Sequence, residues 1–133
     1  MEGLDDKAHA LLQTQLDSFE KLELVRVLRA SGKPMSEASL DKAARLRPDV
    51  SRDAVIVLLQ IGVLRADPGT GLIELGPASV DPAFQALMAV YEQDRLLVLT
   101  ALSSLALARI RNMAARTFGD AFVPRKRGDD GDD

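Results

Sequence analysis

The sequence of 133 residues contains no cysteine and no tryptophan, and it has only one tyrosine and four phenylalanines. The absence of cysteine excludes disulfides, thiol chemistry and thiolate-bound zinc. Because aromatic residues are scarce, Leu, Val, Ile and Ala must form the core, and long stretches without glycine or proline favour helices. With 47% hydrophobic residues, the chain has enough apolar material for one domain of ordinary size.

Long apolar segments are also missing. The acidic start of the chain, Met1 to Asp6, has no apolar run behind it and does not resemble a secretory signal. The longest uncharged stretch, residues 96–108, has 13 residues, whereas a membrane-spanning helix needs roughly 20. We therefore expect a cytoplasmic protein without a membrane span.

Charge is unevenly distributed along the chain, whose formal net charge is −3. Residues 26–65 carry eight basic and four acidic residues, and residues 109–127 carry six basic residues and one acidic residue. Basic blocks inside an acidic protein are typical of nucleic-acid contacts. The alternative interpretation is a solvated surface with cations near helix C-termini.

Apolar periodicity and capping residues predict helices through the first half of the chain. Residues 1–16 are predicted to form an amphipathic N-terminal helical arm. Three core helices are predicted at residues 18–30, 37–46 and 52–61. Their predicted N-caps are Asp17, Ser36 and Ser51, and their predicted ends are marked by Gly32, Pro48 and Gly62.

Two short apolar segments, residues 63–66 and 72–75, flank a turn rich in Gly, Pro and Asp and predict a β-hairpin. Three helices followed by such a two-stranded wing form the winged helix-turn-helix arrangement. The segment from Ser51 to Leu75, SRDAVIVLLQIGVLRADPGTGLIEL, resembles the recognition helix and wing of small bacterial winged-helix regulators, MarR-like ones included. The resemblance covers residues 17–77 and implies a DNA-binding regulator of transcription, although a pattern of elements supports fold better than function.

The C-terminal part, residues 78–123, is predicted to be a long helical region that begins at Asp81 and Pro82. Its segment 96–108 is apolar nearly all round, so we expect it to be covered on several sides. Since many winged-helix regulators dimerise through terminal helices, the resemblance implies a homodimer. The predicted interface residues are Leu96, Leu99, Leu102, Leu105 and Ala106. Residues 124–133 are predicted to be a disordered charged tail.

The third predicted helix decides what the domain binds. A helical wheel places five residues on one outward arc, namely Arg52, Asp53, Ile56, Val57 and Gln60. Base edges are read mainly by Arg, Lys, Asn and Gln, and an aspartate repels phosphate, so this arc is a poor base-reading surface. The turn of the hairpin has no cation.

Two functions therefore stay open. We place first a homodimeric regulator that binds double-stranded DNA, and second an adaptor that binds a protein partner through Ile56 and Val57. The residues expected to contact DNA or a partner are Arg45, Arg47, Arg52, Ile56, Val57, Gln60 and Arg65. Further basic contacts are expected from Arg109, Arg111, Arg116, Arg125, Lys126 and Arg127. We predict no catalytic residue, cofactor or metal, because the single His9 has no partner near it and the paired carboxylates lie near the chain ends.

Overall fold

A computed structural model of the chain describes residues 4–122, with side chains up to residue 117. The described residues are mainly helical and contain one two-stranded antiparallel sheet, which confirms the predicted fold class at that level. In chain order the elements are α1 (Asp6–Thr14), α2 (Phe19–Ser31), α3 (Glu37–Ala44), α4 (Pro48–Gln60), β1 (Leu64–Ala66), β2 (Ile73–Leu75), a 3₁₀ turn (Pro77–Val80), α5 (Pro82–Gln93) and α6 (Arg95–Phe122). The tail predicted at residues 124–133 lies outside the described residues.

Two of the three predicted N-caps of the core helices are correct to within one residue. Ser36 caps α3 as predicted, and Gly32 ends α2 with a positive φ of 70°. The predicted Asp17 cap is wrong by one residue. The α2 cap is Ser18, whose Oγ accepts a hydrogen bond from the Lys21 amide at 3.3 Å. The Asp17 carboxylate instead binds the Lys21 ammonium group at 2.5 Å.

The start of α4 differs most from the sequence prediction. α4 begins at Pro48 and not at Arg52, because a proline has no amide to lose in the first turn of a helix and its fixed φ suits that position. Proline also favours the extended backbone found at Arg47, with φ −65° and ψ 144°. Pro48 therefore starts a helix rather than stopping the preceding one. The predicted cap Ser51 lies inside α4, fully buried.

The predicted hairpin is present, and a third segment extends it. β1 and β2 are antiparallel, with Leu64 opposite Leu75 and Ala66 opposite Ile73. In the loop between α2 and α3, Met35 forms two backbone hydrogen bonds with Ile73, at 2.9 and 2.7 Å. This bridge ties the α2–α3 loop to the hairpin, and no feature of the sequence predicted it.

The helical region after the hairpin consists of two helices and not one. The backbone breaks at Asp94, with φ −144° and ψ 76°. The Asp94 carboxylate accepts a hydrogen bond from the Leu97 amide at 3.2 Å and so caps the start of α6. Neither glycine nor proline marks this break, which is why the sequence did not reveal it.

The core forms around α2, which packs against α3, α4, α5 and β2. α1 packs against α5. Leu12 and Leu16 are fully buried, as are Leu87 and Met88 to within 1%, and burying one such side chain stabilises a fold by about 1.5–3 kcal/mol. Residues 4–16 of the segment predicted as an N-terminal arm are therefore packed against the core. Residues 4–102 form one compact unit, and residues 103–122 belong to a second.

Candidate interaction surfaces

The outward side of α4 has the composition predicted from the helical wheel. Ala54, Val55 and Leu58 are buried, and they anchor α4 on the core. Arg52, Asp53, Ile56 and Gln60 are exposed on the opposite side, and Val57 is half-buried. Ile56 is 46% exposed. This surface, here called the α4 face, has an aliphatic centre between polar residues.

Three of the four arginines expected to contact DNA or a partner around the α4 face are paired with acidic side chains. Arg47 binds Asp49 at 2.8 Å, and Arg52 lies 3.5 Å from Glu37. The third arginine, Arg65 on β1, binds Glu74 on β2. The hydrogen bond from Arg47 holds the pKa of Asp49 below its ordinary value. Exposed pairs of this kind are weak, so their main effect is to cancel the local positive charge.

The basic block at residues 26–65 is not a continuous basic surface in the folded chain. Arg26 and Arg29 lie on α2, where they bind Glu23 and Glu92. α3, α4 and the hairpin, which lie within residues 36–75, carry five basic and six acidic side chains, a net charge of −1. A surface of this charge lacks the electrostatic attraction that dominates DNA affinity.

Arg45 and the turn of the hairpin complete this region. Arg45 is exposed and has a left-handed backbone with φ 59°, and it forms no ion pair with the described residues. In the turn, the Asp67 carboxylate accepts hydrogen bonds from the Thr70 amide at 2.9 Å and the Thr70 hydroxyl at 2.7 Å. These bonds lower the pKa of Asp67, so the turn carries a fixed negative charge.

Apart from Val80, the most exposed large apolar side chains of the described residues lie on α6. Leu96 is 73% exposed, and the other large members are Leu107 at 51%, Ile110 at 61% and Met113 at 61%. Of the five predicted dimer residues, Leu96 is exposed and Leu99, Leu102, Leu105 and Ala106 are half-buried. Only Val98 is fully buried among residues 95–117 of this helix. Much of α6 is therefore available for contact with another molecule.

α6 is long and apolar enough to span a membrane, although its longest uncharged run, residues 96–108, is too short by itself. Residues 95–117 form a 23-residue stretch that contains an 18-residue window with mean hydropathy 1.3, of which 6% is buried, and by length and composition alone this helix could cross a membrane. Arg109, Arg111 and Arg116 are exposed along its second half. The other three basic residues of this block, Arg125, Lys126 and Arg127, lie outside the described residues.

A buried polar cluster joins α2 to α5 and α6. Glu23 is only 3% exposed. Its carboxylate accepts hydrogen bonds from the Arg26 guanidinium at 2.9 Å and from the Tyr91 hydroxyl, and Arg95 lies 3.6 Å from it. The Arg95 guanidinium also lies over the Tyr91 ring, 5.6 Å from the centroid. The only sequence signal was a glutamate within the apolar run of α2.

The protonation of this cluster is set by burial and by its hydrogen bonds. Burial alone raises the pKa of Glu23, but the hydrogen bonds from Arg26 and Tyr91 and the charges of Arg26 and Arg95 outweigh it, so the pKa lies below its ordinary value of 4.5. Burial, followed by the hydrogen bond to Glu23, raises the pKa of Tyr91. Glu23 is therefore ionised and Tyr91 neutral at pH 7, and the carboxylate is fully paired.

Among the described residues, no three histidine or acidic side chains come close enough together to hold a metal ion. Comparisons with protein-family models, with characterised proteins and with solved structures find no match to this chain.

Proposed function

We propose that this chain is a non-catalytic winged helix-turn-helix domain that regulates by binding a protein through its α4 face. The fold part of the proposal is supported by the order of α2, α3, α4 and the hairpin, with α2 packed on both α3 and α4 and α4 packed on β1. The bridge between Met35 and Ile73 supports it too, since it attaches the segment before α3 to the wing.

The net charge of the region around the α4 face favours a protein ligand over DNA. DNA binding requires an excess of cations because phosphate contacts supply most of the affinity, whereas α3, α4 and the hairpin have a net charge of −1. An aliphatic centre with a polar rim is the usual composition of a protein interface. On α4 the centre is Ile56 with the half-buried Val57, and the rim is Arg52, Asp53 and Gln60.

A variant pair tests the α4 face directly. Ile56→Asp places a charge at the centre of the face, and Val80→Asp makes the same change on the 3₁₀ turn, where Val80 is 69% exposed. We expect partner capture by the tagged chain to be lost with Ile56→Asp and kept with Val80→Asp. Truncation by Ile56→Ala should weaken the interaction by about 1–3 kcal/mol. Circular dichroism checks that both variants fold.

A second candidate function, binding of double-stranded DNA, is favoured by one observation. Arg45, Arg109, Arg111 and Arg116 are exposed cations, and none of them is ion-paired within residues 4–117. Retention of the chain on bulk DNA at low salt, followed by elution as salt rises, would support DNA binding and overturn the proposal that the α4 face binds a protein. We expect the chain to pass through. If it is retained, Arg45→Gln together with Arg109→Gln should reduce the salt dependence.

The exposed leucines of α6 support a homodimer as the working form. Leu96→Glu is a clean test because Leu96 is 73% exposed, so the fold does not depend on it. Light scattering should give about twice the 14.4 kDa of one chain for the wild type and for Val80→Glu, and the monomer mass for Leu96→Glu. A wild-type monomer contradicts the dimer, and flotation of that monomer with lipid vesicles would assign α6 to a membrane.

A further inference from the structure

A groove lies on the side of the domain formed by α2, the α2–α3 loop, β2 and the junction of α5 with α6. Its volume is about 750 Å³, which falls within the range of small-molecule sites. Four cationic side chains line it, namely Arg26, Arg29, Lys33 and Arg95. Apolar lining comes from Leu28, Pro34 and Leu75. We call this surface the cationic groove, and it shares no residue with the α4 face.

The acidic side chains at the groove leave part of its positive charge uncompensated. Glu92 binds Arg29 at 2.7 Å, and Glu74 binds Arg65, which is not part of the lining. Glu23, behind the groove, holds Arg26. These six groups together with Lys33 and Arg95 comprise five cations and three acids, an excess of two cations.

Of the four cations that line the groove, Lys33 and Arg95 are the two without an ion pair shorter than 3 Å among the described residues. Lys33 is exposed and forms no ion pair within the part of the chain that the structure describes. The Arg95 side chain is 48% exposed, and its 3.6 Å contact with Glu23 is the longest ion-pair distance in the described residues. Such a guanidinium retains donors for a ligand carboxylate or phosphate. The groove therefore concentrates positive charge in a chain whose net charge is −3.

We propose that the cationic groove binds a small organic anion, with its charged group on Lys33 and Arg95 and its apolar body against Pro34 and Leu75. Binding would connect β2 of the hairpin to the start of α6, because both elements line the groove. The proposal does not depend on whether the α4 face binds protein or DNA. It therefore stands or falls on ligand binding alone.

Octanoate is the probe, because it combines one carboxylate with an apolar chain and is transparent at the wavelengths of tyrosine emission. Tyr91 is the only tyrosine of the chain, and its ring is in contact with Arg95, so its fluorescence reports on the groove. We expect saturable one-to-one binding of octanoate in calorimetry together with a change in Tyr91 emission. Acetate, which lacks the chain, and octanamide, which lacks the charge, should each bind at least about tenfold more weakly.

Charge variants locate the site. Lys33→Glu should weaken octanoate binding by about tenfold or more, and Arg95→Gln should weaken it in the same direction. The matched control is Lys42→Glu, which makes the same change on an exposed lysine of α3 outside the groove and should leave the affinity unchanged. Leu107→Gln tests the alternative that octanoate binds the exposed apolar side of α6.

Four results would overturn the proposal. They are no saturation below about 10 mM octanoate, equal affinity for octanamide, unchanged binding in Lys33→Glu, and loss of binding in Leu107→Gln. Because Lys33 and Lys42 are both exposed, misfolding does not account for a difference between the two variants, and circular dichroism verifies this for each.

Discussion

Tyr91→Phe, which removes the hydroxyl donor, and Glu23→Gln, which removes the charge of the acceptor, should each destabilise the fold, and the two changes together should cost less than the sum. Tyr91→Phe deletes a donor to an ionised acceptor, an interaction worth about 1.5–3 kcal/mol. Glu23→Gln removes the charge that holds Arg26 and Arg95. Loss of one partner of a buried ion pair costs about 3–5 kcal/mol, and we expect the lower end because the Arg26 and Arg95 side chains are 28% and 48% exposed.

A double-mutant cycle measured by urea unfolding isolates the charge-dependent part of this hydrogen bond. We expect a coupling energy of about 1–2 kcal/mol between Glu23→Gln and Tyr91→Phe, with both single variants less stable than the wild type. Additivity of the two changes to within about 0.5 kcal/mol would refute the direct interaction. Fluorescence of Tyr91 cannot follow the Phe variant, so far-ultraviolet circular dichroism is the common probe.

The same cluster predicts how stability depends on pH. The pKa of Glu23 is lower in the folded chain than its ordinary 4.5, so its contribution is complete above pH 4.5 and is lost as pH falls through the folded pKa. The free energies of unfolding of wild type and Glu23→Gln should therefore converge in acid. The pKa of Tyr91 is raised above 10, so its contribution is complete below pH 10 and is lost at still higher pH, which Tyr91→Phe should not show. Parallel curves for wild type and variants would contradict this assignment.

Three further predictions concern local structure and are measured by urea unfolding. Ser51→Ala should stabilise the fold by about 0.5–1 kcal/mol, because Ser51 Oγ is buried without a hydrogen-bond partner in the described chain and alanine is the better helix former; a loss of about 1 kcal/mol would instead indicate a cap. Gly76→Ala should cost about 1–3 kcal/mol, because its Cβ would lie 2.4 Å from the Gly62 carbonyl oxygen; an unchanged midpoint would show that the backbone yields. Asp94→Ala should cost about 1 kcal/mol through loss of the α6 cap, and a neutral result would mean that the α5–α6 break does not need it.

The sequence predicted the helices and the hairpin because these depend on local features. The periodicity of α2, the cap at Ser36, the left-handed Gly32 and the Gly-rich turn of the hairpin each act within a few residues. The outward arc of α4 was also predictable. An error in the predicted helix start changes only which end residues belong to the helix, and the angle between Ile56 and Leu58 around the helix axis stays the same.

Boundaries at proline and at Asp94 were harder to predict, since each rests on a choice between two locally acceptable structures. Pro48 can follow one helix or begin the next, and Asp94 can continue a helix or cap a new one. Packing of the core decided both. The predicted start at Arg52 was wrong for this reason, and the break at Asp94 within the predicted helical region was not predicted.

Which charges meet was decided only by the tertiary structure. The sequence shows a basic block at residues 26–65, but folding pairs Arg29 with Glu92, which is 63 residues away, and Arg65 with Glu74 across the hairpin. The same folding gathers Arg26, Lys33 and Arg95 into one groove and buries Glu23 against Tyr91. Local periodicity determines how each helix is oriented, whereas the electrostatic surface depends on contacts between residues far apart in the chain, and these carry no local signal.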